Sequence, residues 1–197
     1  MAKYVLVHGS WLGGWCWEKV VPSLTGAGHH VLTPTLRGLG HLQHFEGNSI
    51  NLDLHIQDIV NLFEKDDMHS VILVGHSYAG MVITAVADRC SEQISHLVYV
   101  DALIPENGKA IVDLIPPQMA QSIRDDALSN TDTTRFPPAS PEILGITKPE
   151  DVAWVTSKSV GMPIATHEQP LFLSGAHKKI NFRTYISCTE PALGGLA

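Results

Sequence analysis

Val71-Ile72-Leu73-Val74-Gly75-His76-Ser77-Tyr78-Ala79-Gly80, running on into Met81-Val-Ile-Thr-Ala-Val-Ala-Asp88, decides the fold. Four apolar residues, three of them β-branched, read as a buried strand, and 81–88 reads as a helix. Between them the chain must reverse sharply on Ser77. A strand that breaks onto a serine and enters a helix exposes the hydroxyl at the tip of the turn, where it can act as a nucleophile. Such a turn holds the serine backbone in an unfavourable conformation, so its neighbours must be small. Gly75 meets that need two residues before it and Ala79 two after, where the commonest pattern has glycine.

A second turn lies at the amino terminus. Tyr4-Val5-Leu6-Val7 reads as a short buried strand and ends in His8-Gly9-Ser10-Trp11-Leu12-Gly13-Gly14-Trp15. Acyl transfer places negative charge on the former carbonyl oxygen, and two preorganised N–H groups about 3 Å away stabilise it. The candidates for this oxyanion hole are the backbone amides of Ser10 and Tyr78.

Further apolar runs at 31–33, 71–74, 97–100 and 183–187 read as strands. Leu52, Ile56, Ile59, Val60 and Phe63 form one stripe of an amphipathic helix, and Trp15 to Leu24 reads as the helix after the first turn. Alternating strands and helices imply a mostly parallel sheet covered on both faces, with functional residues at the carboxyl ends of the strands. From 105 to 179 the rhythm changes. Pro116, Pro117, Pro137, Pro138, Pro141, Pro149, Pro163 and Pro170 divide that segment into short helical pieces such as 118–128 and 150–157, with no regular strand expected. The expected organisation is a core of 1–104 and 180–197 with a cap, 105–179, inserted over the site.

Composition narrows the function classes. The chain has 197 residues, 44% of them hydrophobic, enough for one full core, and it lacks any apolar run long enough to span a membrane. A strand begins within a few residues of Met1, which leaves no room for a signal peptide, so a cytoplasmic location is expected. A net charge of −7 without a Lys/Arg cluster argues against nucleic acid or an anionic membrane as partner. Cys16, Cys90 and Cys188 are widely spaced and read as buried reduced thiols. The 11 histidines are scattered without metal-ligand spacing, so neither metal nor cofactor is expected.

Together, 8–17 (HGSWLGGWCW), 34–41 (PTLRGLGH), 75–80 (GHSYAG), 98–108 (VYVDALIPENG) and 183–189 (RTYISCT) resemble the α/β-hydrolase fold. More narrowly they are similar to the branch of plant methyl-ester esterases of the salicylate-binding and methylesterase type, hydroxynitrile lyases and bacterial relatives. The resemblance implies a carboxylic-ester hydrolase acting through an acyl-enzyme at Ser77 on a small-molecule ester. It also implies a triad acid. In the plant esterases this follows the strand matching 183–187, where Glu190 now precedes a proline; in some other α/β-hydrolases it follows the earlier strand, where Asp101 stands. Asp101 is favoured, with Glu190 second. Trp11, Trp154, Met162, Leu171 and Phe172 are expected to line the substrate pocket.

The family order is Ser, acid, His, and no histidine in this sequence matches the base. The chain ends soon after the strand matching the seventh of eight, so the last strand, the histidine loop and the closing helix are expected to be absent, about 30 to 40 residues by typical element lengths. The cap histidines His167 and His177 are the alternative bases. An unprotected strand at 183–187 would invite pairing with another chain, hence a homodimer. Two competing readings remain. A hydroxynitrile lyase would carry threonine where Gly9 stands, and a non-catalytic binding protein would keep the pocket without the triad.

Overall fold

The computed structural model describes residues 1–45, 49–65 and 68–189. Its sheet orders five parallel strands as β2 (His30–Leu32), β1 (Lys3–Val7), β3 (Val71–His76), β4 (Ile94–Val100) and β7 (Phe182–Ile186). From β1 the chain crosses outward to β2, then returns to place β3 on the other side of β1. This reversal opens a crevice at the carboxyl ends of β1 and β3, which run side by side with Val7 opposite Gly75. The two loops singled out in the sequence leave those two strand ends.

Alternation along the strands sends side chains to two layers. Val5, Val7, Val71 and Leu73 pack with α2 (Leu52–Lys65) and α3 (Ala79–Arg89). Leu6, Val74 and half-buried Ile72 face Trp17 and α1 (Val21–Gly26). Every residue of α3 from Ala79 to Ala87 is buried, which explains why this helix carries so few polar residues. The stripe on α2 is buried as expected, with one addition, His55. The single helix expected over Trp15–Leu24 is instead a 3-10 turn, Gly14–Trp17, followed by α1, which starts at Val21 with Pro22 in its first turn. Proline cannot donate the amide that a continuous helix would need there. All three cysteines are free, but not buried as expected: Cys16 and Cys90 are half-buried and Cys188 is exposed, and the partial burial of Cys16 pushes its thiol up to about 12.

Gly80 fixes the spacing of the layers. A Cβ on it would lie 1.9 Å from the Leu103 carbonyl oxygen, so only glycine lets α3 touch the loop that leaves β4. Gly80→Ala should therefore displace 101–103 and lower the unfolding free energy by about 3 kcal/mol, measurable by urea denaturation. An unchanged midpoint would mean that the loop yields freely.

The segment 105–179 contains α4 (Pro117–Ser129), α5 (Pro149–Lys158) and α6 (Ala165–Glu168). It also holds a two-residue antiparallel pair that the prolines had argued against, β5 (Arg135–Phe136) with β6 (Met162–Pro163). Pro163 is tolerated because the ladder ends with it. Arg135 ties this segment to the core. Its buried guanidinium donates to the carbonyls of Gly38, Gly161 and Phe45, each at 2.8 Å. A second tether lies on the surface, where Lys158 pairs with Glu18 at 3.0 Å, Lys19 pairs with Asp151, and Trp154 meets Trp15 edge-on at 4.9 Å. No described helix is long and apolar enough to cross a membrane.

Candidate active site

The β3–α3 turn has the strained form that the sequence implied. Ser77 has φ 52, in the left-handed region that side chains avoid, and its amide donates to the Val100 carbonyl at 3.1 Å. Its own carbonyl accepts from the amides of Gly80 and Leu103, both at 3.1 Å, so neighbouring elements hold the strain in place. A Cβ on Gly75 would lie 2.9 Å from the Ala79 carbonyl oxygen, which accounts for the glycine two residues before the serine. Facing the turn, a Cβ on Gly9 would come within 2.8 Å of His76 Nδ1 and 3.1 Å of Ser77 Cβ. The β1 loop thus presses against the serine with no room for a side chain at position 9.

Ser77 opens into a cleft of about 340 Å³, counting space open to solvent, lined by Ser10, Trp11, Leu12, His76, Ser77, Asp101 and Leu144. Asp101 stands at the end of β4 with φ 43; its amide donates to the Ile186 carbonyl at 2.8 Å and its Oδ1 accepts from the Cys188 amide at 3.3 Å. The amides of Ser10 and Tyr78 take part in none of the hydrogen bonds among the described residues, leaving both available to a ligand oxygen. Trp11, at φ 65, lies on the cleft as expected and meets Phe136 edge-on at 5.6 Å.

Of the other expected pocket residues, none lines this cleft. Trp154 is spent on Trp15 and on the ammonium groups of Lys19 and Lys158, which lie 5.4 and 5.3 Å from its ring centre. Met162 is fully buried in the β5–β6 pair, and Leu171 is buried beside its bridge to Lys109. Phe172 follows Leu171 on an extended chain, so it turns to the opposite side and is 78% exposed. Leu144, from the cap, supplies the contact instead; no periodicity in its surroundings singles it out. Glu190, the second candidate acid, lies outside the described residues.

The histidines are engaged elsewhere. His8 donates from Nδ1 to the Gly9 carbonyl at 2.9 Å and accepts the Leu36 amide on Nε2 at 3.1 Å, stapling the β1 loop to 34–41. His55 bridges the Arg37 carbonyl (2.8 Å) and the Tyr78 hydroxyl (2.9 Å). His177 pairs with Asp88 at 2.8 Å, at the far end of α3. Burial tends to raise the Asp88 carboxyl, but the His177 ring and surrounding backbone amides outweigh it and hold the group well below its ordinary value. His167 does reach the site, yet its Nε2 lies 3.2 Å from Ser10 Oγ and not against Ser77. Among the described residues no imidazole hydrogen-bonds the Ser77 hydroxyl, including its neighbour His76, although His76 borders the cleft. Burial lowers the His76 pKa, partly opposed by Asp101. No group of three or more His, Cys, Asp or Glu among the described residues could hold a metal ion.

Burial also holds His8 and His167 at about 3 and His55 at about 4. These groups are neutral when folded and gain protons on unfolding below their ordinary value of about 6.5. The unfolded chain then binds more protons, so stability falls as pH falls, by about 1.4 kcal/mol per pH unit for each imidazole between pH 6 and 4. Urea titrations at pH 7, 6 and 5 should show this loss, reduced in His55→Gln; a flat profile would mean that these rings are hydrated.

A family model described as "Alpha/beta hydrolase family" matches residues 4–187, and the chain belongs to that family. It is 38% identical to the "Carbendazim hydrolyzing esterase" of Nocardioides sp. (strain SG-4G), over 94% of this chain and 79% of that protein. It is 32% identical to "Putative methylesterase 14, chloroplastic" of Arabidopsis thaliana, over 62% of this chain and 35% of that one. Among solved structures, an extracellular alpha/beta-hydrolase from a Paenibacillus species superimposes with a TM-score of 0.86 at 22% identity, covering 96% of this chain and 78% of its own. An Arabidopsis methylesterase does so at 0.69 and 21%, covering 95% and 78%.

Proposed function

We propose that this protein hydrolyses small carboxylic esters, with Ser77 as nucleophile. The observation that carries the reading is convergence: a serine held at φ 52, Ser10 with its uncommitted amide, and the Asp101 carboxylate come from three adjacent strand ends onto one cleft, and the amide of Tyr78, next to the serine, is uncommitted too. The named esterases among its relatives support the same reaction. Ser77 Oγ adds to the ester carbonyl as a general base takes its proton; among the described residues no histidine hydrogen-bonds that hydroxyl. The oxyanion is received by the two amides, and collapse expels the alcohol to leave an acyl-serine that water then cleaves. Asp101, on the same cleft, is the carboxylate placed to orient and stabilise the protonated base. Methyl esters and carbendazim are the first substrates to try.

Gly9 weighs against lyase chemistry, because a threonine there would collide with His76 and Ser77. A binding protein without catalysis is the other reading. A fluorophosphonate probe separates the two: covalent labelling mapped to the Ser77 peptide, with turnover of p-nitrophenyl butyrate, supports the enzyme, while absence of both overturns it. Association of two copies through β7, exposed at all five residues, belongs to the same proposal and is read by sedimentation velocity.

A further inference from the structure

We propose that Ser10 selects among esters through its side chain, accepting a hydrogen bond from substrates that carry an N–H or O–H donor on the atom next to the scissile carbonyl. This rests on the ester-hydrolase reading and adds to it a substrate class.

The direction of each hydrogen bond around Ser10 follows from one fixed acceptor. Thr166 Oγ1 lies 2.6 Å from the Pro163 carbonyl, which can only accept, so the single hydroxyl proton of Thr166 points there. The same Oγ1 lies 2.9 Å from His167 Nδ1 and has only lone pairs left, so Nδ1 carries the proton. The ring is buried and stacks on Tyr78 at 5.2 Å, with Phe136 edge-on at 4.9 Å, surroundings that disfavour a second proton. Nε2 is therefore a bare acceptor. At 3.2 Å from it, Ser10 Oγ must donate, which removes its only proton from the repertoire it can offer a ligand.

Ser10 lines the cleft beside Ser77. What its hydroxyl has left for an occupant is lone pairs, on the same residue whose amide is the proposed oxyanion donor. A substrate seated with its carbonyl oxygen on that amide brings the atom next to the carbonyl within reach of Oγ. A donor on that atom, as in a carbamate N–H or an α-hydroxy ester, completes a hydrogen bond; an ether oxygen in the same place meets lone pair with lone pair.

Two matched pairs test this in the protein as its gene encodes it. Calorimetric titration compares the uncleavable ketones 2-hydroxyacetophenone and acetophenone, and kcat/KM compares methyl mandelate with methyl phenylacetate. The donor-bearing member should be favoured about tenfold in each pair, and Ser10→Ala should bring both ratios close to one whatever the absolute values. In His167→Phe, which keeps the stacking, the freed Ser10 proton should shift ketone preference toward 2-methoxyacetophenone. Equal ratios in wild type and Ser10→Ala would overturn the proposal. Intact ketone selectivity with no ester turnover would instead sink the ester-hydrolase reading and leave Ser10 as a ligand-selecting residue.

Discussion

Ser77→Ala is expected to lower kcat for p-nitrophenyl butyrate by a factor on the order of 10⁴ to 10⁶, measured in the protein as its gene encodes it. Without the hydroxyl no acyl-enzyme forms, and what survives is the contribution of the two amides acting on a directly attacking water. The loss should not come from misfolding. Among the described residues the Ser77 hydroxyl makes no hydrogen bond, and alanine meets the same φ of 52 with a similar Cβ. Thermal melts of the two proteins should coincide within a few degrees, and fluorophosphonate labelling should vanish. Turnover within tenfold of wild type would remove Ser77 from the chemistry.

The second large effect is expected at Asp101. Asp101→Asn should reduce kcat by about 10⁴-fold with little change in KM, because the carboxylate acts on an imidazolium that exists only as the reaction proceeds. Asparagine suits the site otherwise: it is among the residues that best tolerate a left-handed backbone, here φ 43, and its side-chain oxygen can still accept the Cys188 amide. Fold and charge are thereby separated. If Glu190→Gln proves crippling while Asp101→Asn is mild, the acid follows β7 and not β4.

The strained turn at Ser77 and the tight turn after β1 were legible because each is a local object. A strand, a tight turn and small flanking residues are constrained by backbone sterics within ten residues, and sterics are written in residue type. Asp101 was legible for a related reason, since a carboxylate just past an apolar run falls at a strand end in this fold. The cap was not. Trp154, Met162, Leu171 and Phe172 were chosen for size and apolarity, properties that serve a pocket wall and a packed interior equally, and they went to a surface ring pair, the β5–β6 pair, the interior and solvent respectively. Leu144 took the place on the cleft.

By itself the sequence determined the parallel sheet, the elbow at Ser77, the glycine at position 9 and the carboxylate after β4, because each follows from spacing and sterics over a short stretch. Only the tertiary structure decided which histidines are spent on holding loops together. His8, His55 and His167 are alike in the sequence, and their roles depend on one backbone amide and two hydroxyls 28, 23 and 157 residues away, those of Leu36, Tyr78 and Ser10. A hydrogen bond across such a separation depends on how the layers pack, which no local pattern encodes.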